Sequence, residues 1–96
     1  MVERGIRPDL YFEMFFVYIL RSKVNHSYYV GSCKDIEARV EKHNKGLVNS
    51  TKRFLPWELM YAEEFDSLSL ARKRESQLKS WKKRISLEKL IKNISK

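Results

Sequence analysis

The apolar residues fall into short runs whose spacing changes along the chain. Phe15-Phe16-Val17-Tyr18-Ile19-Leu20 is aromatic, β-branched and unbroken, which predicts a strand. Arg21 to Ser27 is a polar loop containing Asn25, and Tyr28-Tyr29-Val30-Gly31 predicts a second strand, most simply antiparallel to the first. Asp35 suits a helix N-cap and Gly46 a stop after Lys42 and Lys45, so a helix of about three turns lies between them. Leu47 to Pro56 is a loop rich in hydroxyl and basic groups, and Trp57 to Phe65 predicts a third strand. Ser67 or Ser69 caps a long helix running to about Arg84, and a short helix from Ser86 to about Ile94 follows. The order β-β-α-β-α-α predicts an α+β domain, with a small three-stranded antiparallel sheet flanked by helices.

Helical phase then aims the polar groups. On the first helix Ile36 and Val40 face the core, and at 100° per residue His43 falls within about 60° of both, with Arg39 beside it. On the long helix Ala71, Leu78, Trp81 and Ile85 form the expected apolar stripe. Glu75 lies inside it, where a carboxylate is costly unless paired or bound to metal. Taken singly these residues have ordinary explanations. Tyr18 and Tyr29 suit strand packing, His43 a capping role, and an Arg39–Glu75 contact a structural ion pair. Together, two phenols, a guanidinium, an imidazole and a carboxylate in one groove would suit phosphodiester chemistry.

Ninety-six residues make one domain with one modest core. Cys33 is the only cysteine, which excludes an internal disulfide and a cysteine-based zinc site, and fits a reducing cytoplasm. The run from Leu10 to Leu20 is too short to span a bilayer and contains Glu13, so no membrane role is expected. Residues 1–13 lack periodicity and contain Pro8; they are expected to be a disordered arm or to precede a natural start at Met14, leaving 14–96 as the domain. The net charge of +8 is unevenly placed. Residues 71–96 carry ten Lys/Arg against two Glu, and residues 1–70 are balanced. Such a field is the footprint of a polyanion-binding surface, or of a well-solvated helix pair. Lys52 and Arg53 in the loop, with Arg72, Lys73, Lys82, Lys83 and Arg84 on the polar side of the long helix, are the expected nucleic-acid contacts.

Val17-Tyr18-Ile19 and Tyr29-Val30-Gly31, then Asp35, Arg39, His43-Asn44-x-Gly46, Ser50-Thr51, Trp57 to Tyr61 and Ala71-x-x-x-Glu75-x-x-Leu78-Lys79-x-Trp81, resemble the motifs of the GIY-YIG nuclease superfamily. The likeness is strongest to its small single-domain bacterial members and covers residues 14 to about 91. Val17 stands where the first motif opens with glycine. Ser32-Cys33 stands where some relatives carry a lysine, and Ile85 to Glu88 where many carry an asparagine. The resemblance implies a divalent-metal-dependent endonuclease using Mg²⁺ or Mn²⁺ and acting on nucleic acid, with DNA expected and little sequence specificity; no partner protein is identifiable from the sequence. It implies that Tyr18, Tyr29, Arg39, His43 and Glu75 are catalytic, with Glu75 as the metal-binding carboxylate. Either His43 or Tyr29 would deprotonate the attacking water, while Tyr18 orients water or phosphate. A nucleic-acid-binding module with the nuclease fold and little or no catalysis is the alternative; a protein-interaction domain docking an acidic partner is a third.

Overall fold

The computed structural model describes residues 14–81 and 83–94. Strand β1 (Phe15–Ser22) is central, with β2 (Tyr28–Cys33) and β3 (Trp57–Phe65) antiparallel on either side. Tyr18 is paired with Gly31 and Leu20 with Tyr29 across β1–β2, and a register shift between Ile19 and Leu20 interrupts the β1–β3 ladder. A central strand covered on both faces needs apolar side chains in both directions, hence the unbroken run seen in the sequence. Val17 and Ile19 enter one core and Tyr18 and Leu20 the other.

Helix α1 (Ile36–Asn44) covers the face bearing Tyr18, Leu20, Cys33 and Trp57, with Ile36 and Val40 packed on it. Asp35 caps α1 by accepting the Ala38 N–H at 3.1 Å. Gly46 follows at φ +77°, the left-handed conformation that glycine adopts without Cβ strain. Helices α2 (Leu68–Ser80) and α3 (Arg84–Ile94) cover the opposite face, placing Ala71, Leu78 and Leu87 against Val17, Ile19, Val30 and Tyr61. Burying a side chain such as Leu78 is worth about 1.5–3 kcal/mol. Ser67, rather than Ser69, caps α2 by accepting the Leu70 N–H. The α+β architecture and element order agree with the sequence pattern.

The end of α2 differs from the expectation. The helix stops at Ser80, whose hydroxyl donates to the Gln77 carbonyl, and Trp81 is already extended (φ −74°, ψ 118°). Trp81 leaves the helix to pack its indole on the core, under the Arg74 guanidinium. α3 then begins at Arg84, earlier than Ser86. With the helical phase broken, Ile85 does not continue the apolar stripe and is 54% exposed. Lys83 and Arg84 therefore do not lie on the long helix. Lys82 and the leader of residues 1–13 lie outside the described residues. No described helix is long and apolar enough to cross a membrane.

Candidate active site

On the α1 face, the sheet and helix enclose polar groups. His43 is fully buried, and both ring nitrogens are engaged: Nε2 lies 2.9 Å from the Tyr18 hydroxyl and Nδ1 2.8 Å from Thr51 Oγ1. The Thr51 hydroxyl also donates toward the Val48 carbonyl at 3.4 Å. A carbonyl only accepts, so this order makes Nδ1–H the donor to Thr51 and leaves Nε2 to accept the Tyr18 proton. Burial lowers the His43 pKa, reinforced by the positive charges of Arg39 and Lys42. Burial likewise raises the Tyr18 pKa, aided by Tyr29 and opposed by Arg39. Both groups are therefore neutral near pH 7.

Gly31 is small for a specific reason. A Cβ there would lie 2.5 Å from the Tyr18 hydroxyl oxygen and 2.6 Å from the adjoining ring carbon. The missing side chain lets the Tyr18 ring lie across the β2 backbone. Tyr29 is half-buried on the same face, edge-on to His43 at 5.0 Å between ring centroids and to Trp57 at 6.4 Å. Asn44 holds the end of α1 to β3, accepting the Trp57 N–H at 2.7 Å and donating to the Trp57 carbonyl at 3.0 Å. The Trp57 indole N–H donates to the Thr51 carbonyl at 2.8 Å, tying down the loop that carries Thr51.

Glu75 lies in the other helical layer. Ser32 on β2 donates to its Oε1 at 2.6 Å, and Lys79 Nζ lies 2.7 Å from Oε2. Its side chain is 20% exposed. Burial pushes the carboxyl pKa up. The hydrogen bonds from Lys79 and Ser32, with the charges of Lys79 and Arg72, outweigh burial and hold it below the ordinary range. Arg39 is not its partner, so the structural ion pair considered from sequence does not form.

The two layers meet at the exposed edge of β2. A groove of about 500 Å³ there is lined by Ser32 and Cys33, by Arg39 and Lys42 of α1, and by Leu68 and Arg72 of α2, with Lys34 and Phe15 alongside. The charges of Arg39 and Glu75 both act on Tyr18, although their helices occupy opposite faces. The structure thus brings Tyr18, Tyr29 and His43 into one ring cluster, with Arg39 on the groove wall and Glu75 bonded to Ser32 of the same groove.

The basic residues expected from sequence divide differently. Arg72 lines the groove, whereas Lys73 lines a separate hollow with Phe65, Leu70, Arg74 and Gln77. Lys52 and Arg53 are exposed on a 3₁₀ turn, with Arg53 over the Phe54 ring. Arg84 is paired with Glu88 and stacked on Tyr28 at 4.8 Å. Sequence reasoning gave no role to Thr51, Asn44, Lys42 or Lys79. Their signals were present: the hydroxyl-rich loop, the residue after His43, and cations one turn from Arg39 and Glu75.

The GIY-YIG catalytic domain family matches residues 14–92. A UPF0213 protein of Staphylococcus aureus is 42% identical over 78 residues, spanning 80% of this chain and 93% of its own length. A Staphylococcus saprophyticus UPF0213 protein is 40% identical over 74 residues, covering 76% and 89%. The solution structure of a UPF0213 protein from Bacillus halodurans matches with a TM-score of 0.53 and 30% identity, covering 82% of this chain and 83% of that one. With the match spanning nearly every described residue, this chain belongs to the GIY-YIG catalytic domain family.

Proposed function

We propose that this protein is a divalent-cation-dependent endonuclease that hydrolyses phosphodiesters in DNA with little sequence specificity. The observation that carries the reading is the groove over the β2 edge. Cations from both helical layers line it, and its Ser32 hydroxyl holds the Glu75 carboxylate, while Tyr29 lines a second hollow farther along β2. Arg39, Lys42 and Arg72 would hold the phosphate backbone, with Arg39 neutralising charge that grows during in-line attack. His43 is best suited to positioning: with both nitrogens bonded inside the core, it fixes the Tyr18 phenol. That leaves Tyr29, the more accessible phenol, as the base for the attacking water.

One carboxylate cannot cage a metal, and no group of three or more His, Cys, Asp or Glu among the described residues could hold one. The donor set nevertheless suits Mg²⁺ or Mn²⁺. Such ions accept a single hard carboxylate and complete their shell with water and substrate phosphate oxygens. Glu75 would hold the ion, which when bound would supply charge neutralisation at the phosphate and a more acidic water. A second reading, a binding module with little or no catalysis, is favoured by the engagement of both Glu75 oxygens with Ser32 and Lys79. Cleavage assays on branched, nicked and single-stranded DNA, with Mg²⁺, with Mn²⁺ and with chelator, separate the two. The nuclease reading expects cation-dependent product; binding without product under every condition would leave the module.

A further inference from the structure

Three i,i+4 ion pairs lie on the described helices, and one is unlike the others. Lys45–Glu41 and Arg84–Glu88 are surface pairs whose acids are 65% and 39% exposed. Such pairs are ordinary helix staples. In Lys79–Glu75 the acid is only 20% exposed, its other oxygen is held by Ser32, and the lysine is 51% exposed. Lys79 also borders a hollow of about 300 Å³ lined by Tyr29, Leu78 and Trp81. Its flexible stem thus has a second resting place, beside the phenol proposed as base.

We propose that Lys79 is a substrate-operated guard on Glu75: without nucleic acid its ammonium occupies the carboxylate, and an arriving phosphate draws it away and opens the carboxylate to a divalent cation. This rests on the reading of Glu75 as the metal-binding group. The physical ground is competition. An ammonium 2.7 Å from Oε2 both blocks that oxygen and repels a dication, so the cation binds poorly alone. A phosphate offers the ammonium several acceptor oxygens and the cation further ligands, so both move in the same direction once substrate is present. Lys79 then rests on the phosphate near Tyr29.

The test is Mn²⁺ binding by the full chain, read by electron paramagnetic resonance without any turnover. Wild type, Lys79→Met, Glu75→Gln and the double variant are compared, with and without a short phosphorothioate oligonucleotide. Without oligonucleotide, Lys79→Met is expected to bind Mn²⁺ about tenfold more tightly than wild type. Oligonucleotide should tighten wild-type Mn²⁺ binding and shrink that difference, and Glu75→Gln should remove the tight site in either background. Equal Mn²⁺ affinity in wild type and Lys79→Met, with Glu75→Gln still abolishing binding, overturns the guard and leaves the Glu75 reading standing. Tight Mn²⁺ binding that survives in the double variant overturns the Glu75 reading and the guard with it. Lys79 is half-exposed at the helix end, so matched thermal unfolding of the variants is expected and makes the comparison direct.

Discussion

The two faces of the sheet solve opposite problems with the same central strand. On the α1 side, Tyr18, His43 and Thr51 are buried and neutral, each proton committed to a named neighbour. On the α2 side the core is apolar, and the charge of Glu75 is confined to the edge, answered by Lys79 and Ser32. A buried neutral network is rigid, because breaking any bond strands a polar group. An edge ion pair is exchangeable, because its cation is half in water. The proposed phosphodiesterase chemistry would use both, the fixed phenol of Tyr18 and a carboxylate that can change partners.

The sharpest way to break the comparison is Tyr29→Phe. If Tyr29 is the base, cleavage should fall by about 10²–10⁴-fold while the ring still packs on His43 and Trp57. Kinetics within a few-fold of wild type would return that role to another group. Next is Gly31→Ala, which forces the Tyr18 ring away from β2. Unfolding titrations should show a loss of about 1–3 kcal/mol, accompanied by lost activity. No change in stability would mean that the close approach is not maintained in solution.

Thr51→Val tests the rigidity of the buried network. Leaving His43 Nδ1–H unsatisfied should cost about 1–3 kcal/mol, more than an exposed Thr to Val change. The same network predicts a pH dependence. The folded pKa of His43 is depressed below its ordinary value of about 6.5, so the unfolded chain takes up the proton first. The His43 contribution is thus fully present above about pH 6.5 and is lost as pH falls toward the folded value. His43→Gln should flatten this slope between pH 7 and 5, and a slope unchanged by the substitution would count against it. Glu75, also depressed, adds its own loss as pH falls from its ordinary carboxylate value toward its folded one.

The smallest expected effect concerns the groove cations. Replacing Lys42 and Arg72 with alanine should flatten the dependence of log affinity on log salt by about one to two. Removing Lys73, which faces the other hollow, should leave the slope nearly unchanged. A larger effect from Lys73 would move the nucleic acid off the β2 edge.

Strand and cap positions were legible in the sequence because they follow local rules: the apolar run of β1, Asp35 as N-cap, Gly46 as stop. The end of α2 was not, because the Leu78–Trp81–Ile85 spacing continues a helical stripe. Only tertiary packing of Trp81 shows that it leaves the helix. Helical phase aimed His43 and Glu75 inward, but it could not show that their helices lie on opposite faces or meet around β2. Nor could it reveal that His43 has both nitrogens occupied, since Thr51 and Tyr18 reach it from a loop and a strand distant in sequence. Charge counting placed the excess in the last quarter. It missed that Arg84 is spent on Glu88 and Tyr28, and that Lys42 of α1 shares the groove with Arg72.

The central claim, that Glu75 makes this domain a metal-dependent nuclease, is tested most directly by Mg²⁺- and Mn²⁺-dependent cleavage of end-labelled DNA by wild type and Glu75→Gln. The variant keeps the shape of the side chain and should remain folded, with a small loss of stability because the ion pair with Lys79 is given up. The account predicts cation-dependent cleavage by wild type and a loss of about 10³-fold or more in the variant, with DNA binding retained. Equal cleavage by wild type and a folded Glu75→Gln protein would contradict it.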